Sequence, residues 1–419
     1  MSENITTADA QYALDIVKAI CTQVGPGIPA SPQERQRAEM IKKELEDHLG
    51  AGNVDIEEFT LAPGAFLSTY PGVILMALSI GLNISIGRFS GVSPWITTVA
   101  ALVFSIIPPL SFVLEFILCR EAVDLFYPKK QSINVIGKLH NPKTRDVKRL
   151  LILSGHHDSA PENTWFRYIG YGFYFLSTTF FIGMVLLVVM SLIQLVGLVI
   201  DNEAVVHAGT LKWMMLVYPL VPALIFALFL TRGKKGGGIV PGAADNLSGC
   251  ATVIAMCRFL VHNPSFIPED TEIRFITFGS EEAGLRGSKR YVERHLDELK
   301  RLETHVLNYE IVAYPQISII VSDVNGTAKI SSEIVNRVVA AAQRARVPYK
   351  LGPFGIGAGV DAVPFNRKGL KGATLRAFKE PQQIIAFYHQ DRDTPEVLTL
   401  PPFLNVLKLT LEWIRNGEG

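Results

Sequence analysis

Five short segments of the sequence carry acidic residues or histidines that could bind a metal ion. In chain order they read SGHHDS, PGAADNLSG, FGSEEAGLRGS, LNYEIV and FYHQDRDT. Four of them close or interrupt apolar, β-rich runs, and PGAADNLSG begins a helical pattern. In open α/β sheets, ligands bind beyond the carboxyl ends of the strands. Charged groups there are costly unless they are paired or bound to metal, so their repetition predicts a metal site at one edge of a sheet.

The side chains in these segments are of types that suit zinc or a related divalent ion. They are His156, His157, Asp158, Asp245, Glu281, Glu282, Glu310 and His389. Two imidazoles and three carboxylates exceed one tetrahedral site, which favours a bridged pair of ions about 3.5–4 Å apart. A further Glu beside such ligands could take a proton from the attacking water. Each segment alone also has an ordinary structural explanation, such as a helix cap for Asp245, so the prediction depends on their number and order.

Strands and helices alternate along the polar parts of the chain. The helical patterns are Ala13–Val24, Gln33–Leu49, Leu247–Leu260, Glu282–Leu299, Ser331–Arg346 and Leu404–Arg415. The strand patterns are Val54–Thr60, Ser132–Leu139, Leu150–Ser154, Glu272–Phe278, Val306–Val312, Ile317–Val321, Ala373–Phe378 and Ile384–Tyr388. This alternation predicts an α/β sheet with helices on both faces.

The composition separates a balanced polar part from an apolar excess. The 419 residues include 40 Lys and Arg against 39 Asp and Glu, a net charge of +1, which excludes a nucleic-acid binder that works through bulk charge. Charged residues are 19% of the chain, against roughly 25% in an average soluble domain. Because hydrophobic residues reach 48% and mean hydropathy is +0.26, part of the chain is expected to lie in lipid. The four cysteines form no CxxC pair and indicate neither a disulfide framework nor a thiolate zinc site.

Four stretches lack charged residues for long enough to cross a bilayer, which takes about 20 residues. They are Phe66–Ile86, Trp95–Leu114, Tyr168–Ile200 and Trp213–Leu230. Buried core helices are the alternative, but core helices seldom stay uncharged for this length. An even number of crossings keeps the polar segments on one side of the membrane. We therefore predict four transmembrane helices in two hairpins, at residues 66–119 and 167–231.

The remaining residues, 1–65, 120–166 and 232–419, are predicted to form one domain on the cytoplasmic side. Basic residues near the spans concentrate on the side that these segments share. They are Arg120, Lys129, Lys130, Arg167, Arg232, Lys234 and Lys235. The hairpin tips carry only Arg88 and Lys212, and the N-terminus lacks the pattern of a cleavable signal. The sequence thus predicts an integral membrane protein with the lipid bilayer as a partner, and it does not indicate an oligomeric state.

As an ordered set, the five segments resemble family twenty-eight of the metallopeptidases. That family includes co-catalytic zinc aminopeptidases, glutamate carboxypeptidases and glutaminyl cyclases. The resemblance covers the polar chain from about residue 10 to the end, without the two apolar insertions. It implies a zinc-exopeptidase fold, which is a mixed, mostly parallel sheet with helices on both faces.

The resemblance also implies roles for individual residues, including a site for two divalent metal ions, with zinc expected. The first ion would be bound by His156 and Glu310 and the second by Glu282 and His389, with Asp245 bridging the two. The pair of ions would hold a bridging hydroxide that attacks the substrate.

Two further carboxylates receive catalytic roles from the same resemblance. Glu281 would be the general base that deprotonates the attacking water, and Asp158 would hold the imidazole of His156 in the correct tautomer. His157 occupies a variable position and receives no ligand role. The chain departs from the family pattern at Glu310, where Asp is usual, and at Ala362, where a His that is not a ligand is common.

The function that the resemblance implies is that of a membrane-anchored, zinc-dependent exopeptidase, in first place an aminopeptidase that removes N-terminal residues from peptides. One alternative is an acyl transfer of the glutaminyl cyclase type, which would use one zinc ion. The other alternative is an inactive membrane receptor or scaffold of the same fold, which would typically have lost metal ligands. The sequence does not identify the preferred side chain of the substrate.

Overall fold

The computed structural model describes residues 4–67, 70–86, 91–170, 172–207, 240–323, 325–354, 359–380 and 382–415. Eight strands within these ranges form one sheet in the order β1-β2-β4-β3-β5-β8-β6-β7. They are β1 Val54–Leu61, β2 Lys130–His140, β3 Arg149–His156, β4 Thr271–Phe278, β5 Glu303–Val312, β6 Ile317–Asp323, β7 Tyr349–Phe354 and β8 Lys371–Ala377. Strands from all three polar segments of the chain therefore join a single sheet.

The sheet is mixed, and most neighbouring strands run parallel. The β3–β4, β3–β5, β5–β8 and β6–β7 pairs are parallel, whereas β1–β2, β2–β4 and β6–β8 are antiparallel. The central strand β3 is buried from Leu150 to His156. Such a continuous buried run is typical of a strand that is covered on both faces. The prediction of a mixed, mostly parallel α/β sheet is confirmed.

Helices cover both faces of this sheet. Those on the larger face are Thr7–Gln23, Pro32–Leu49, Ser248–His262, Ser332–Arg344 and Leu400–Arg415. On the other face Arg286–Arg301 and Ala362–Arg367 pack over a smaller apolar cluster that includes Tyr291 and Phe365. The further helices are Pro63–Leu67, Tyr70–Ile84, Pro94–Phe112, Thr164–Ile169, Gly172–Val199, Glu203–Val206 and Gln382–Ala386.

Two local predictions differ from the structure. The apolar run Ile384–Tyr388 was expected to be a strand, but Gln382–Ala386 is a short helix, so that prediction is wrong. Ile384 and Phe387 are buried while Ile385 is 45% exposed, which is helical spacing that the short apolar run conceals. The sequence analysis also missed the edge strand β7, whose Leu351 is 54% exposed and which therefore lacks a clear apolar signal.

Three of the predicted membrane stretches are helical in the structure. Helix Pro94–Phe112 continues through a π-helical turn to Ile117. Helices Pro94–Ile117 and Gly172–Val199 are long and apolar enough to span a membrane, with 22% and 39% of their apolar windows buried. The apolar helix Pro71–Ile84 is shorter than a span, and the predicted stretch Trp213–Leu230 lies outside the described residues. The number of four crossings and their orientation therefore remain predictions.

The two apolar insertions contact each other through polar side chains. The Asn83 side chain donates to Oγ of Ser191 at 3.0 Å, and the Gln194 side chain donates to the carbonyl of Asn83 at 2.9 Å. Polar side chains that bond across helices are a common form of association in apolar surroundings. On the outer surface, apolar residues such as Ile96 and Val199 are 64% and 65% exposed.

Helix Ser248–His262 also satisfies the length and hydropathy of a span when counted from Ala243, yet 89% of its apolar window is buried. It is a core helix, and it approaches the sheet closely at two glycines. A Cβ at Gly155 would lie 3.0 Å from the carbonyl carbon of Gly249. A Cβ at Gly249 would lie 2.5 Å from Oδ1 of Asn246 and 2.9 Å from the carbonyl oxygen of Tyr309.

We expect Gly249→Ala to destabilise the fold by about 1–3 kcal/mol, because the added methyl group meets backbone that cannot move aside. The matched control is Gly352→Ala in β7, where an added Cβ has no neighbour within 4 Å. Thermal unfolding of the full-length protein in detergent measures both. Equal melting temperatures for the two variants would contradict the close contact.

A second prediction concerns His305 on β5, which is 1% exposed. Burial, with a smaller contribution from the Arg337 guanidinium, lowers the pKa of His305 from 6.5 to about 4. Between pH 6.5 and 4 the unfolded chain therefore binds this proton more readily than the folded chain, so acidification favours unfolding. As the pH is lowered from 6.5 to 4, the free energy of unfolding should decrease less steeply in His305→Gln than in the parent protein. Parallel pH profiles for the two proteins would contradict this assignment.

Candidate metal centre

The structure brings six of the predicted side chains together at the carboxyl edge of the central strands. They form three overlapping groups whose nitrogen and oxygen atoms lie within 4.8 Å of one another in each group. The members are His156, Asp245, Glu281, Glu282, Glu310 and His389. In the sequence these residues are spread over more than half of the chain, so the tertiary fold makes them neighbours.

Asp245 lies at the middle of this arrangement and faces both histidines. Its Oδ1 atom is 3.3 Å from Nε2 of His156, and its Oδ2 atom is 3.0 Å from Nε2 of His389. Glu310 lies on the His156 side, with Oε1 3.6 Å from Nε2, and Glu282 lies on the His389 side, with Oε1 3.2 Å from Nε2. The result is two three-residue groups that share one carboxylate.

The parallel register of the strands positions the first group. His156 is the last residue of β3 and pairs with Phe278 at the end of β4. On the other side β5 carries Glu310 past the end of its pairing with β3. The β5–β8 register shifts between Glu310 and Val312, and Ile311 has a φ of +56°, which is uncommon for a β-branched residue. This bulge turns the Glu310 side chain towards the edge of the sheet.

The loop that carries Asp245 stabilises the bulge after Glu310. The Asn246 side chain donates to the carbonyl of Tyr309 at 2.8 Å and accepts from the N–H of Ile311 at 3.2 Å. Oγ of Ser248 accepts from the N–H of Val312 at 2.8 Å. The segments that carry the two carboxylates are therefore held together by hydrogen bonds between the Asn246 and Ser248 side chains and the backbone of β5.

Asp158 connects the two glutamates to His156. Its carboxylate accepts from the backbone N–H groups of Glu281 and Glu282, both at 3.0 Å. Its Oδ1 atom also lies 3.3 Å from Nδ1 of His156. Ser280, the residue before Glu281, has a φ of +55°, so the chain reverses sharply as it leaves β4. One buried carboxylate thus lies beside the His156 ring and accepts hydrogen bonds from the segment that carries both glutamates.

The sequence analysis missed Glu34, which stabilises this reversal from the opposite side. Glu34 is 1% exposed and accepts from Ser280 N at 2.7 Å, Ser280 Oγ at 2.8 Å and Ser132 Oγ at 2.9 Å. In the sequence it follows Ser31 by three residues, which is the spacing of a capping box. In the structure its N–H donates to Oγ of Ser31 at 3.1 Å, but Oε2 accepts from the N–H of Ala30, while the N–H of Ser31 donates to the carbonyl of Ile28. The local spacing gives no sign of the distant contact with Ser280.

A second missed residue is Asp393, which stabilises the loop of Asp245. Its carboxylate accepts from the N–H of Ala244 at 2.7 Å and from the N–H of Asp245 at 3.0 Å, and it is fully buried. It lies in the FYHQDRDT segment, four residues after His389. An acid in that segment was the available signal. The backbone of Asn163 donates to the carbonyl of His389 at 2.8 Å, which joins the same loop to the segment after β3.

The electrostatics of the cluster favour the binding of cations. Four carboxylates lie with two imidazoles in a mostly buried space. Burial alone would lower the pKa of His389, but the carboxylates of Glu282 and Asp245 outweigh it and raise the pKa to about 10. Burial raises the pKa of Glu281 well above its usual range, and the other carboxylates act in the same direction. Excess negative charge in a desolvated site attracts protons or metal ions.

The cluster also contains buried polar atoms that suit a metal ion. Nε2 of His156, Oδ1 of Asp245 and Oε2 of Glu310 have no hydrogen-bond partner among the described residues. Imidazole nitrogen and carboxylate oxygen are ligands that zinc accepts. The residues present therefore fit a pair of divalent ions. The individual roles predicted for the seven site residues, including Glu281 as base, remain predictions.

The comparisons with known proteins agree with this site. Residues 231–414 match the model of Peptidase family M28. That segment carries Asp245, both glutamates, Glu310 and His389, whereas His156 precedes it and reaches the site through β3. A segment of 159 residues is 33% identical to aminopeptidase YwaD of Bacillus subtilis; it covers 37% of this chain and 33% of that protein. The match thus spans about a third of the curated relative, and together these findings indicate a metallopeptidase hydrolase.

Solved structures share the fold at low sequence identity. The zinc aminopeptidase BSAP from Bacillus subtilis has a TM-score of 0.54 at 16% identity, and the comparison covers 97% of this chain and 94% of that one. LapB from Legionella pneumophila gives 0.53 at 14% identity and covers 100% and 74%. A glutaminyl cyclase from an Acidobacteriales bacterium gives 0.53 at 12% identity and covers 99% and 97%. These likenesses support the zinc-exopeptidase-like fold and do not distinguish the two activities.

Replacement of Asp393 tests whether its two backbone hydrogen bonds hold Asp245 in place. In Asp393→Asn an amide N–H would face one of the two backbone N–H donors, so we expect metal affinity to fall roughly 10–100-fold. Competition with a chromophoric zinc chelator measures the affinity of the purified full-length protein. The matched control is Asp297→Asn, an exposed position on helix Arg286–Arg301. Unchanged affinity in Asp393→Asn would contradict this positioning role.

Proposed function

We propose that the protein is a membrane-anchored, zinc-dependent aminopeptidase that hydrolyses the first peptide bond of its substrates. The observation that carries the proposal is the pair of three-residue groups that share Asp245, with Glu281 beside them. Oε2 of Glu281 lies 3.8 Å from Nε2 of His156. This carboxylate therefore borders the ligand cluster, and it belongs to neither of the two groups that share Asp245. The similarity to aminopeptidase YwaD supports the same reaction class.

The ligand assignment follows from the two groups. His156 and Glu310 would hold one ion, Glu282 and His389 the other, and Asp245 both. When bound, two such ions polarise the peptide carbonyl and lower the pKa of a water molecule. Asp158 keeps the Nδ1 side of His156 occupied, which leaves Nε2 directed at the cluster.

Glu281 is proposed as the proton carrier of the reaction. Its carboxylate would accept the proton of the attacking water and pass it to the leaving amine. The hydrogen bond from the backbone N–H of Glu281 to Asp158 would hold Glu281 in place while the proton moves.

An aminopeptidase is favoured over a carboxypeptidase by the similarity to aminopeptidase YwaD. The charge of the site does not separate the two, because bound zinc ions would offset the carboxylates and Arg376 also lines the pocket. The glutaminyl cyclase reading uses one zinc ion, and the complete pair of ligand groups argues against it.

The membrane part of the proposal draws on the apolar helices. Helices Pro94–Ile117 and Gly172–Val199 meet the length of a span, and their exposed surface is apolar. Basic residues after the first insertion, such as Arg120, Lys129 and Lys130, support a cytoplasmic catalytic domain. Accessibility of single cysteine labels in sealed vesicles would test that orientation.

Replacement of Glu281 combined with metal removal tests the proposed chemistry. We expect Glu281→Gln to retain two zinc ions per chain and to lose about 10²–10⁴-fold in kcat on aminoacyl reporters, because the proton acceptor is gone. Chelation should abolish the activity of the parent protein, and added zinc should restore it. Glu293→Gln, at an exposed position of helix Arg286–Arg301, is the control and should keep full activity.

Full activity in Glu281→Gln would refute this base. One tightly bound ion per chain, together with release of ammonia from an N-terminal glutamine peptide, would instead favour the glutaminyl cyclase reaction. Failure to bind any divalent ion would favour an inactive receptor or scaffold.

A further inference from the structure

The pocket above the metal cluster has a wall that comes from the first apolar insertion. Its lining includes Glu281, Glu282 and His389 from the cluster together with Phe66, Phe116 and Cys119. The last three belong to residues 66–119, the stretch predicted as the first membrane hairpin. An insertion that served only as an anchor would have no reason to reach the catalytic pocket.

The aromatic part of this wall is closely packed. The rings of Phe66 and Phe116 stack with centroids 5.4 Å apart and an interplanar angle of 21°. Phe112 extends the stack, with its centroid 5.1 Å from that of Phe116. Phe66 also lies against Gly284, where an added Cβ would come within 2.9 Å of the ring. The wall therefore contacts the turn that follows Glu281 and Glu282.

Buried ion pairs fasten the same insertion to the catalytic domain. The guanidinium of Arg286, which is fully buried, lies 3.2 Å from Glu115, 3.0 Å from Glu121 and 3.0 Å from Asp124. Arg286 begins the helix after Gly284, and Glu115 lies next to Phe116. Loss of a carboxylate partner would leave a buried guanidinium unpaired, which is costly. The ion pairs therefore hold the end of the insertion next to the pocket.

We propose that Phe66 and Phe116 form the specificity surface for the first side chain of the substrate, and that this surface selects apolar side chains. The inference rests on the proposed aminopeptidase function. The acidic residues of the lining are the proposed metal ligands and base that act on the peptide bond, and the aromatic residues of the same lining suit the side chain next to that bond. Leu285, which is 2% exposed, adds an aliphatic contact at the base of this wall.

The test compares aminoacyl reporters in the full-length, zinc-loaded protein in detergent. The reporters are leucyl, phenylalanyl and alanyl derivatives of one leaving group. In Phe66→Ala and in Phe116→Ala we expect kcat/KM for the leucyl and phenylalanyl reporters to fall about 10-fold or more, since a pocket discriminates by about 10–200-fold for each small apolar group it contacts. The alanyl reporter should change less than about 3-fold, because its methyl group does not reach the wall.

Two further variants keep the outcome interpretable. Phe175→Ala, on the other apolar insertion and 74% exposed, is the matched control and should leave all three reporters unchanged. Phe116→Leu retains an apolar side chain and should recover most of the leucyl activity, which loss of folding could not explain. Zinc content and melting temperature are measured for every variant.

An unchanged ratio of leucyl to alanyl activity in both alanine variants would overturn the inference while leaving the aminopeptidase proposal intact. Equal losses on all three reporters, with zinc content preserved, would also overturn it, because the wall would then act on the reaction and not on selection. A parent protein that binds two zinc ions yet hydrolyses none of the reporters would contradict the proposed function itself.

Discussion

The parallel pairing of β3 between β4 and β5 is the constraint on which the rest of the structure depends. It places His156 at the end of one strand, next to the end of β4 and next to Glu310 on β5. A slip of two residues in this pairing would move an imidazole by about 7 Å along the strand, which is more than the spread of either three-residue group. The buried apolar runs of the three strands specify that register, so the hydrophobic core and the metal centre are stabilised by the same hydrogen bonds.

Acidic side chains perform two different tasks in this protein. Asp245, Glu282 and Glu310 converge on a common space, whereas Asp158 and Glu34 accept hydrogen bonds from the segments that carry them. The second task answers a physical problem, because loops at a sheet edge bury backbone N–H groups that have no strand to pair with. A carboxylate is a strong acceptor for such groups. The carboxyl groups that would hold cations are thus surrounded by further carboxyl groups that accept hydrogen bonds from the loops.

The apolar insertions are joined to the catalytic fold by more than the chain itself. Arg286 binds Glu115 near the end of the first insertion and Asp124 just after it, and Phe66 packs against Gly284. Asn83 and Ser191 connect the first insertion to the second. Breaking a buried ion pair typically costs several kcal/mol, so the position of the insertion is coupled to the stability of the turn after Glu281 and Glu282. An insertion placed in this way can shape the pocket as well as contact lipid.

Local patterns in the sequence were enough to predict the residue types of the candidate site and the class of the fold. The alternation of strands and helices predicted a mixed α/β sheet, and the five acidic and histidine segments predicted the side chains that meet at its edge. Both signals are local, because periodicity and ligand type can be read within a few residues. Contacts between distant parts of the chain became known only from the structure. Glu34 accepts a hydrogen bond from Ser280, Asp393 accepts one from the loop of Asp245, and Phe66 lines the pocket. These contacts join residues far apart in the chain, and nothing in their own neighbourhood distinguishes them from an ordinary cap, loop acid or apolar residue.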